Sequence, residues 1–476
     1  MNDIKKQLLK GSIYTALSKY LNIGCQLIVT AFLARLLSPA DFGLVAITTV
    51  IIMFFDILAD VGFGPAIIQN RDMSDKDINH VYSFSIYFSV VLVAVFIICI
   101  KPIAIFYEEK SLVNLCFVLS FQLIFTTFNI VPKALMLKFK KFRSIAVVSI
   151  VNSIVFGILS VAAAFCGLGI YSLLIVPVGN SISTFWVYKH QCGVDLVFYI
   201  KPSFEPVKKL LSFSLYQFSF NFVNYFSRNL DKILIGRFIG MDSLGYYEKS
   251  YRLMTLPIST LQNVLTPTIQ PVLSEYQNNK ELIYEYYKKI SKVFLVAGVI
   301  VTSYFFFCSR ELIFLIFGSQ WNSAVPIFRI LSLSIFTQLL DSLSGGFLQA
   351  SNSVKYLFKT GIYSAVINVT MLVIPLLVFK DLEITAYFIT IAFYMNFILA
   401  LYYVIFKAFR TSVCDYLTIF PKPMILFLVL MIGMFFINSL NFDILLGLCF
   451  KTIYVIASTL LFAFKARYVN LKKILK

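Results

Sequence analysis

The chain contains 476 residues, of which 59% are hydrophobic and 17% aromatic, and its mean hydropathy is +0.85. This composition excludes a soluble protein of one or two domains, because the apolar residues form runs of about 20 residues, enough for a helix to cross a bilayer. The runs are continuous rather than alternating, which favours helices over barrel strands. We therefore expect an all-α, polytopic membrane protein.

About fourteen transmembrane helices are predicted. In chain order, we place them near 12–33, 42–68, 81–103, 112–131, 144–166, 168–188, 212–236, 243–272, 291–313, 324–349, 360–379, 384–406, 418–438 and 443–464. The first six spans make an N-lobe (1–200) and the next six make a C-lobe (201–410). The remainder (411–476) is an appended helical hairpin with a basic tail.

The beginning of the chain recurs 202 positions later, which indicates a duplicated unit. The identical pairs are Lys6/Lys208, Leu8/Leu210, Leu9/Leu211, Ser12/Ser214, Tyr14/Tyr216, Asn22/Asn224, Arg35/Arg237, Gly43/Gly245, Pro65/Pro267 and Ile67/Ile269. Six spans separate the copies, so both copies enter the membrane in the same direction. A parallel repeat of this kind is typical of transporters with two lobes and a site between them.

The net charge of +18 reflects the loops. With a cytoplasmic N-terminus, the cytoplasmic segments hold 28 of the 41 Lys and Arg residues and the opposite loops hold six. The positive-inside rule therefore predicts that both termini are cytoplasmic, and the loop charges face anionic membrane lipids rather than nucleic acid. The eight scattered cysteines indicate neither disulfides nor a metal, and no nucleotide-binding motif occurs, so we expect no cofactor.

Ionisable residues inside the spans are the candidate functional residues. They are Lys19, Asp56, Asp60, Arg228, Asp231, Lys232, Glu248, Lys249, Arg252, Arg329, Asp341 and Lys451. On lipid-facing helix centres, the set would cost roughly 30 kcal/mol, so most should line a cavity or pair. Lys19 and Asp60 lie at the same predicted depth, which allows a salt bridge. That pair is either structural, or its carboxylate changes partner or proton during transport, with Asp56 one turn deeper.

The second cluster spans the end of the seventh helix and the start of the eighth, and it predicts anionic cargo. Arg228, Asp231 and Lys232 are followed by Glu248, Lys249 and Arg252, and Arg329 could join them. The surplus of cations suits a phosphate or pyrophosphate, which Arg binds with forked donors. The alternative is a network at headgroup level that anchors the helix ends, above all for Lys232 and Lys249.

Several motifs resemble the Wzx-type polysaccharide transporters, which are lipid-linked oligosaccharide flippases of the superfamily that also holds multidrug MATE transporters and lipid II flippases. They are the runs 34–43 (ARLLSPADFG), 60–69 (DVGFGPAIIQ) and 231–240 (DKILIGRFIG), then Tyr246-Tyr247 and 251–254 (YRLM), and Phe317-Gly318 with Trp321, Ala324 and Pro326. The likeness extends to about residue 410 and is specific to the family, not to a cargo.

The resemblance implies a MATE-like pair of six-helix lobes that open alternately to either side of the bacterial cytoplasmic membrane. The cargo would be an undecaprenyl-pyrophosphate-linked oligosaccharide for O-antigen, capsule or exopolysaccharide, bound by the basic residues above, including Lys19. Coupling to a proton or sodium ion is expected, with Asp60 the first candidate, then Asp56, Asp231 and Asp341. Polymerase and export proteins of the same pathway are the expected protein partners.

Three other functions are weighed at this stage. A drug or cation antiporter of the same fold would require an anionic cavity, which the surplus of Arg and Lys opposes. A membrane-embedded polysaccharide polymerase, the enzyme-class alternative, usually has a sizeable outer loop, whereas the outer connections here are short. A purely structural membrane protein would have little reason to keep Arg228 and Arg252 at membrane depth.

Overall fold

The computed structural model describes residues 2–60, 63–70, 73–440 and 442–465, and the side chains of these residues except at 2–13, 209–220, 223–224, 227, 263–268, 270–271 and 465. Within these ranges the chain is helical and contains no strand, which confirms the all-α class. The helices are α1 (Asn2–Leu36), α2 (Pro39–Asp60), α3 (Phe63–Gln69), α4 (Asp75–Tyr107), α5 (Ser111–Phe128), α6 (Ile130–Lys138), α7 (Phe142–Phe165), α8 (Ser172–Gln191), α9 (Glu205–Phe238), α10 (Met241–Leu273), α11 (Lys280–Phe307), α12 (Ser309–Ile316), α13 (Ala324–Ser332), α14 (Ile335–Ala350), α15 (Val354–Val378), α16 (Leu382–Leu401), α17 (Val413–Leu417), α18 (Pro421–Ser439) and α19 (Ile444–Lys465).

The number of spans differs from the predicted fourteen. Among the described residues, eleven helices are long and apolar enough to cross a membrane, and the pair α13–α14, bent by 52°, makes a twelfth span if it crosses as one. The two predicted spans without a match are 212–236 and 243–272, which lie in α9 and α10. These helices are 34 and 33 residues long, so length does not exclude them. Their charged and polar side chains lower their hydropathy, as expected of helices that do not present their whole surface to lipid.

The sequence repeat is reproduced in the helix boundaries. Helix α1 ends at Leu36 and α9 ends at Phe238, while α2 begins at Pro39 and α10 begins at Met241. Both differences equal the 202-residue offset of the repeat. The duplication therefore preserves a complete helix–turn–helix unit.

The two copies contact each other at equivalent glycines. A methyl group on Gly43 would collide with the carbonyl oxygen of Met241, and one on Gly245 would collide with that of Pro39. The same Gly245 methyl would lie 3.3 Å from the backbone nitrogen of Gly43. Only glycine permits so close an approach of backbones, as in other small-residue helix contacts in membranes.

Local capping fixes several helix starts. At α2, the Ser38 side chain accepts from the Asp41 amide (3.2 Å) and the Asp41 carboxylate accepts from the Ser38 amide (2.9 Å). Ser74 and Asp77 form the same reciprocal box at α4. Each box satisfies amide groups that the first helical turn leaves free.

The chain divides into two compact units, Met1–Gly245 and Tyr246–Lys476. In the first unit, α1 packs along α7, α4 along α5, and α7 along α8. A buried core there joins α3, α4, α6 and α8 through residues such as Ile67, Val81, Leu135 and Tyr188. This core fixes the short helices α3 and α6 beside the end of α2.

In the second unit, α11 packs on α14 and α18, and a buried ion pair joins α12 to the C-terminal hairpin. Lys451 is 2% exposed, pairs with Glu311, and donates to the carbonyl of Phe307 (2.9 Å) and to Asn438 Oδ1 (2.9 Å). The charge in the last span is therefore compensated inside the protein, which explains how α19 can carry a lysine at its centre.

Matching amide pairs join the last hairpin of each predicted lobe. Asn152 on α7 donates to Asn180 on α8 (3.0 Å), and Asn396 on α16 donates to Asn368 on α15 (2.7 Å). Both pairs are separated by 28 residues in the chain. Hydrogen bonds of this kind hold neighbouring helices together where the surroundings are apolar.

Candidate substrate and ion site

The two candidate acidic residues of α2, Asp56 and Asp60, lie at the helix's C-terminal end. Asp56 Oδ1 is buried and accepts no hydrogen bond from the part of the chain that is described. One turn later, Asp60 Oδ1 accepts from the backbone amide of Gly64 at 3.3 Å. The sequence did not reveal this contact between the carboxylate and the backbone.

The predicted salt bridge between Lys19 and Asp60 is wrong. Lys19 is exposed on α1 and belongs to no ion pair within the described ranges. The cation that acts electrostatically on both Asp56 and Asp60 is Lys133 of α6. Equal depth placed Lys19 level with Asp60, but the packing of α3 against α6 brings a different lysine towards the carboxylates.

On α9, three predicted residues follow one another within little more than one turn. Arg228 is exposed, while Asp231 and Lys232 are partly buried. Asp231 accepts from the backbone amide of Lys232 at 2.8 Å. Among described residues, no hydrogen bond or ion pair engages the side chains of Arg228 and Lys232, so both remain available to an anion.

On α10, the two predicted cations have different environments. Lys249 is 5% exposed and its ammonium group lies 2.8 Å from Glu248, its neighbour in the chain. Arg252, one turn later, is half-buried, and its guanidinium makes no ion pair in the described ranges. Glu248 thus balances the charge of Lys249 within the helix, whereas no described side chain forms an ion pair with Arg252.

The last two predicted residues lie in the second unit. Arg329 on α13 donates through Nε to Ser309 Oγ (3.1 Å) and lies over the ring of Phe306 (5.8 Å to its centroid), so the protein fixes its orientation. Asp341 on α14 is partly buried and interacts electrostatically with Tyr287 of α11. Neither residue lies in the same unit as Asp56 and Asp60.

A cavity in the first unit was not predicted from the sequence. It has a volume of about 410 Å³ and lies between α2, α4 and α9. The hydroxyls of Tyr225 and Tyr107 at its wall bond to backbone carbonyls, at 2.8 Å to Val50 and 3.5 Å to Ile233. The surface that remains is almost entirely apolar. At its rim, Arg237 lies over Phe106 (5.6 Å) and pairs with Glu108 (2.9 Å).

The fold defines a multi-pass helical membrane protein with the architecture of a solved flippase. The lipid II flippase MurJ, in an inward closed conformation, matches with a TM-score of 0.72 over 96% of this chain and 99% of its own, at 16% identity. At that identity, the similarity establishes the fold alone.

The sequence places the chain in a family. It belongs to the polysaccharide biosynthesis protein family, whose model matches residues 32–326, and this confirms the resemblance that the motifs predicted. The teichuronic acid biosynthesis protein TuaB of Bacillus subtilis (strain 168) is 24% identical over 362 residues, 75% of this chain and 74% of the relative. The lipopolysaccharide biosynthesis protein WzxC of Escherichia coli (strain K12) is 24% identical over 386 residues, 78% of this chain and 76% of the relative.

Proposed function

We propose that this protein is a flippase that moves an undecaprenyl-pyrophosphate-linked oligosaccharide across the bacterial cytoplasmic membrane for surface polysaccharide assembly. Family membership, the names of its relatives and the MurJ-like architecture support transport of a lipid-linked glycan. The loop charges favour cytoplasmic termini. The proposed lobes are 1–200 and 201–410, which alternately open to the two sides, and 411–476 is the appended hairpin.

The observation that carries the cargo assignment is the set of basic side chains without a protein partner. The side chains of Arg228, Lys232 and Arg252 neither pair with nor hydrogen-bond to described residues, and the three residues lie within the predicted spans 212–236 and 243–272. A cation at membrane depth without a counter-ion is costly, and a pyrophosphate group would remove that cost. Arg329 and Lys19 are secondary candidates. Lys249 holds Glu248 rather than the cargo in this arrangement.

The acidic residues are proposed to couple transport to a proton or sodium ion. Asp56 is the first choice, because one of its oxygens is buried and lacks a partner in the described structure. Asp60 is second, since its carboxylate already accepts from the backbone amide of Gly64. Asp341 and Asp231 follow. The order reverses the sequence-based ranking of the first two residues, and packing is the reason.

The proposal is tested in proteoliposomes that contain a pyrophosphate-linked oligosaccharide, whose arrival on the opposite face is measured by glycosidase access. Arg228→Ala and Arg252→Ala should each lower the transport rate about 10- to 100-fold, the loss expected for a charge-assisted hydrogen bond of about 1.5–3 kcal/mol. Arg310→Ala is the matched control, because this exposed arginine packs over Phe314 and should leave the rate unchanged.

The same vesicles distinguish the antiporter alternative. A proton-coupled exporter of cationic drugs should move a cationic dye in exchange for protons. Removal of the arginines should increase that transport or leave it unaltered. Normal transport of the glycan by both alanine variants, at normal protein levels, would reject the assigned role of the arginines.

A further inference from the structure

The connection between the two predicted lobes is an extended segment that follows the surface of α4. We call residues 193–204 the linker strap. Side chains from one face of α4 hold its backbone. The bonds are Val197 N–H to Asn79 Oδ1 (3.1 Å), Tyr199 N–H to Ser83 Oγ (2.8 Å), Tyr87 hydroxyl to Ile200 C=O (2.8 Å) and Ser203 N–H to His80 Nδ1 (3.1 Å). Ring contacts of Tyr199 with His80 and of Phe204 with Phe84 add to this attachment.

The order of these contacts shows that the strap turns back on itself. The backbone advances along α4 from the level of Asn79 to that of Tyr87, and it then returns to His80. At 1.5 Å per residue, Tyr87 lies about 18 Å along the helix axis from Asp75, where α4 begins. Because the Tyr87 side chain leans towards the start of the helix, the turn at Ile200 lies between the levels of Ser83 and Tyr87, in the first turns of the span predicted at 81–103.

Extended backbone at this depth requires hydrogen-bond partners from the protein. In hydrocarbon, where water is scarce, an unsatisfied amide or carbonyl group costs several kcal/mol. Asn79 and Ser83 are buried, 7% and 0% exposed, and each accepts from a strap amide. The polar face of α4 thus permits the strap to lie within the membrane boundary.

Several apolar side chains of the strap remain exposed, although Phe204 and Phe198 also contact aromatic rings of α4. Ile200 is 79% exposed, Phe204 53%, Val197 49% and Phe198 43%. Lys201 at the turn and Lys208 shortly after it are exposed as well. Nearby, Trp186 is 49% exposed with the ammonium group of Lys189 5.8 Å from its ring. Apolar and aromatic side chains that alternate with lysines are typical of the bilayer interface.

We propose that the linker strap is a lipid-binding element: its apolar edge inserts among the acyl chains of one leaflet, and Lys201 and Lys208 bind the anionic headgroups of that leaflet. The bound partner is the anionic membrane surface. The contacts with α4 leave Ile200 and Val197 exposed for this interaction, together with part of Phe198 and Phe204. The role is independent of which cargo the protein carries.

The depth of the linker strap in the bilayer is tested with a tryptophan at Ile200, where the strap turns. Ile200→Trp is made in a Trp186→Phe background, where the remaining Trp321 is fully buried. The protein is reconstituted in phosphatidylcholine vesicles with brominated acyl chains. Asp195→Trp, at an exposed position of the same strap, is the matched control. Lipid quenching should be at least about twofold stronger at position 200 than at 195. Quenching at 200 by aqueous acrylamide instead of brominated lipid would overturn the proposal.

Headgroup preference is tested in the Ile200→Trp protein with a small fraction of brominated phosphatidylglycerol in phosphatidylcholine. Quenching should exceed that from the same fraction of brominated phosphatidylcholine by at least about twofold, since each interfacial lysine attracts anionic lipid. Lys201→Gln with Lys208→Gln should abolish the difference. Lys355→Gln with Lys359→Gln, an equal charge change at the start of α15, should preserve it. Equal quenching by both lipids before any lysine is changed would refute the anionic preference.

Discussion

Replacing Gly43 with alanine should damage the protein more than an ordinary helix substitution. The new methyl carbon would lie more than 1 Å closer to the Met241 carbonyl oxygen than the 3.0 Å that real Cβ atoms keep. The clashing atom belongs to the backbone, so the starts of α2 and α10 must separate. Overpacking of this kind costs about 1–3 kcal/mol. We expect Gly43→Ala to lower thermal stability in detergent, and Gly245→Ala to do so somewhat less, because its overlap with the Pro39 carbonyl oxygen is smaller.

Gly24→Ala and Gly361→Ala provide matched controls. Both glycines lie inside helices, and a methyl group on either would meet nothing within 4 Å. Alanine should therefore be neutral or should stabilise the helix by up to about 1 kcal/mol. Thermal unfolding of the four variants, followed by loss of soluble monomer on size-exclusion chromatography, gives the comparison. Equal stability of Gly43→Ala and Gly24→Ala would refute the close backbone contact.

Three further changes test other parts of the structure. Lys451→Met should destabilise the protein by about 3–5 kcal/mol, because it leaves Glu311 buried without its cation. Adding Glu311→Leu should restore most of the melting temperature. A double variant as unstable as the single one would contradict the buried ion pair. Asp415, at the exposed helix α17, accepts from Lys288 and from the Tyr284 hydroxyl (2.9 Å), and these bonds hold its pKa below the usual value. The contribution of the Asp415 carboxylate to stability is therefore present at neutral pH and is lost only as the pH falls through that lowered pKa. The melting-temperature difference between wild type and Asp415→Asn should be equal at pH 7.5 and pH 5.5. A difference that fades by pH 5.5 would argue against the contact. Ser83→Ala should loosen the linker strap and speed chymotrypsin cleavage after Tyr199 several-fold, whereas unchanged cleavage would show that this bond does not hold the segment.

The duplicated helical unit could be predicted from the sequence. Identities at an offset of 202 residues anticipated that the turn after Leu36 would match the turn after Phe238, and the helices end at those residues. The repeated pair Gly43 and Gly245 was visible in the same comparison of the two halves. The contact of each glycine with the backbone of the other copy could not be predicted. A repeat shows which positions are equivalent, but it does not show which positions are close in space.

Pairing of charges was much harder to predict. Depth along a helix can be counted from sequence, which is why Lys19 and Asp60 looked like partners. The side of the helix that faces a neighbour depends on packing, and here Lys133 of α6 acts electrostatically on Asp60 without forming an ion pair with it among the described residues. The partner of Lys451 was equally hard to predict. Glu311 is 140 residues away in the chain and lies near the end of the span predicted at 291–313. The number of spans differs from the predicted fourteen because α9 and α10 carry charged side chains that lower their hydropathy; among the described residues eleven helices, or twelve with the bent pair α13–α14, are apolar enough to cross a membrane.

Transport itself tests the account most directly. Purified protein in liposomes, given a pyrophosphate-linked oligosaccharide on one face, should make that glycan accessible to glycosidase on the other face, and the rate should fall when Arg228 and Arg252 are both changed to alanine. Liposomes with correctly folded protein that leave the glycan on its original face, yet move a cationic dye, would contradict the assignment.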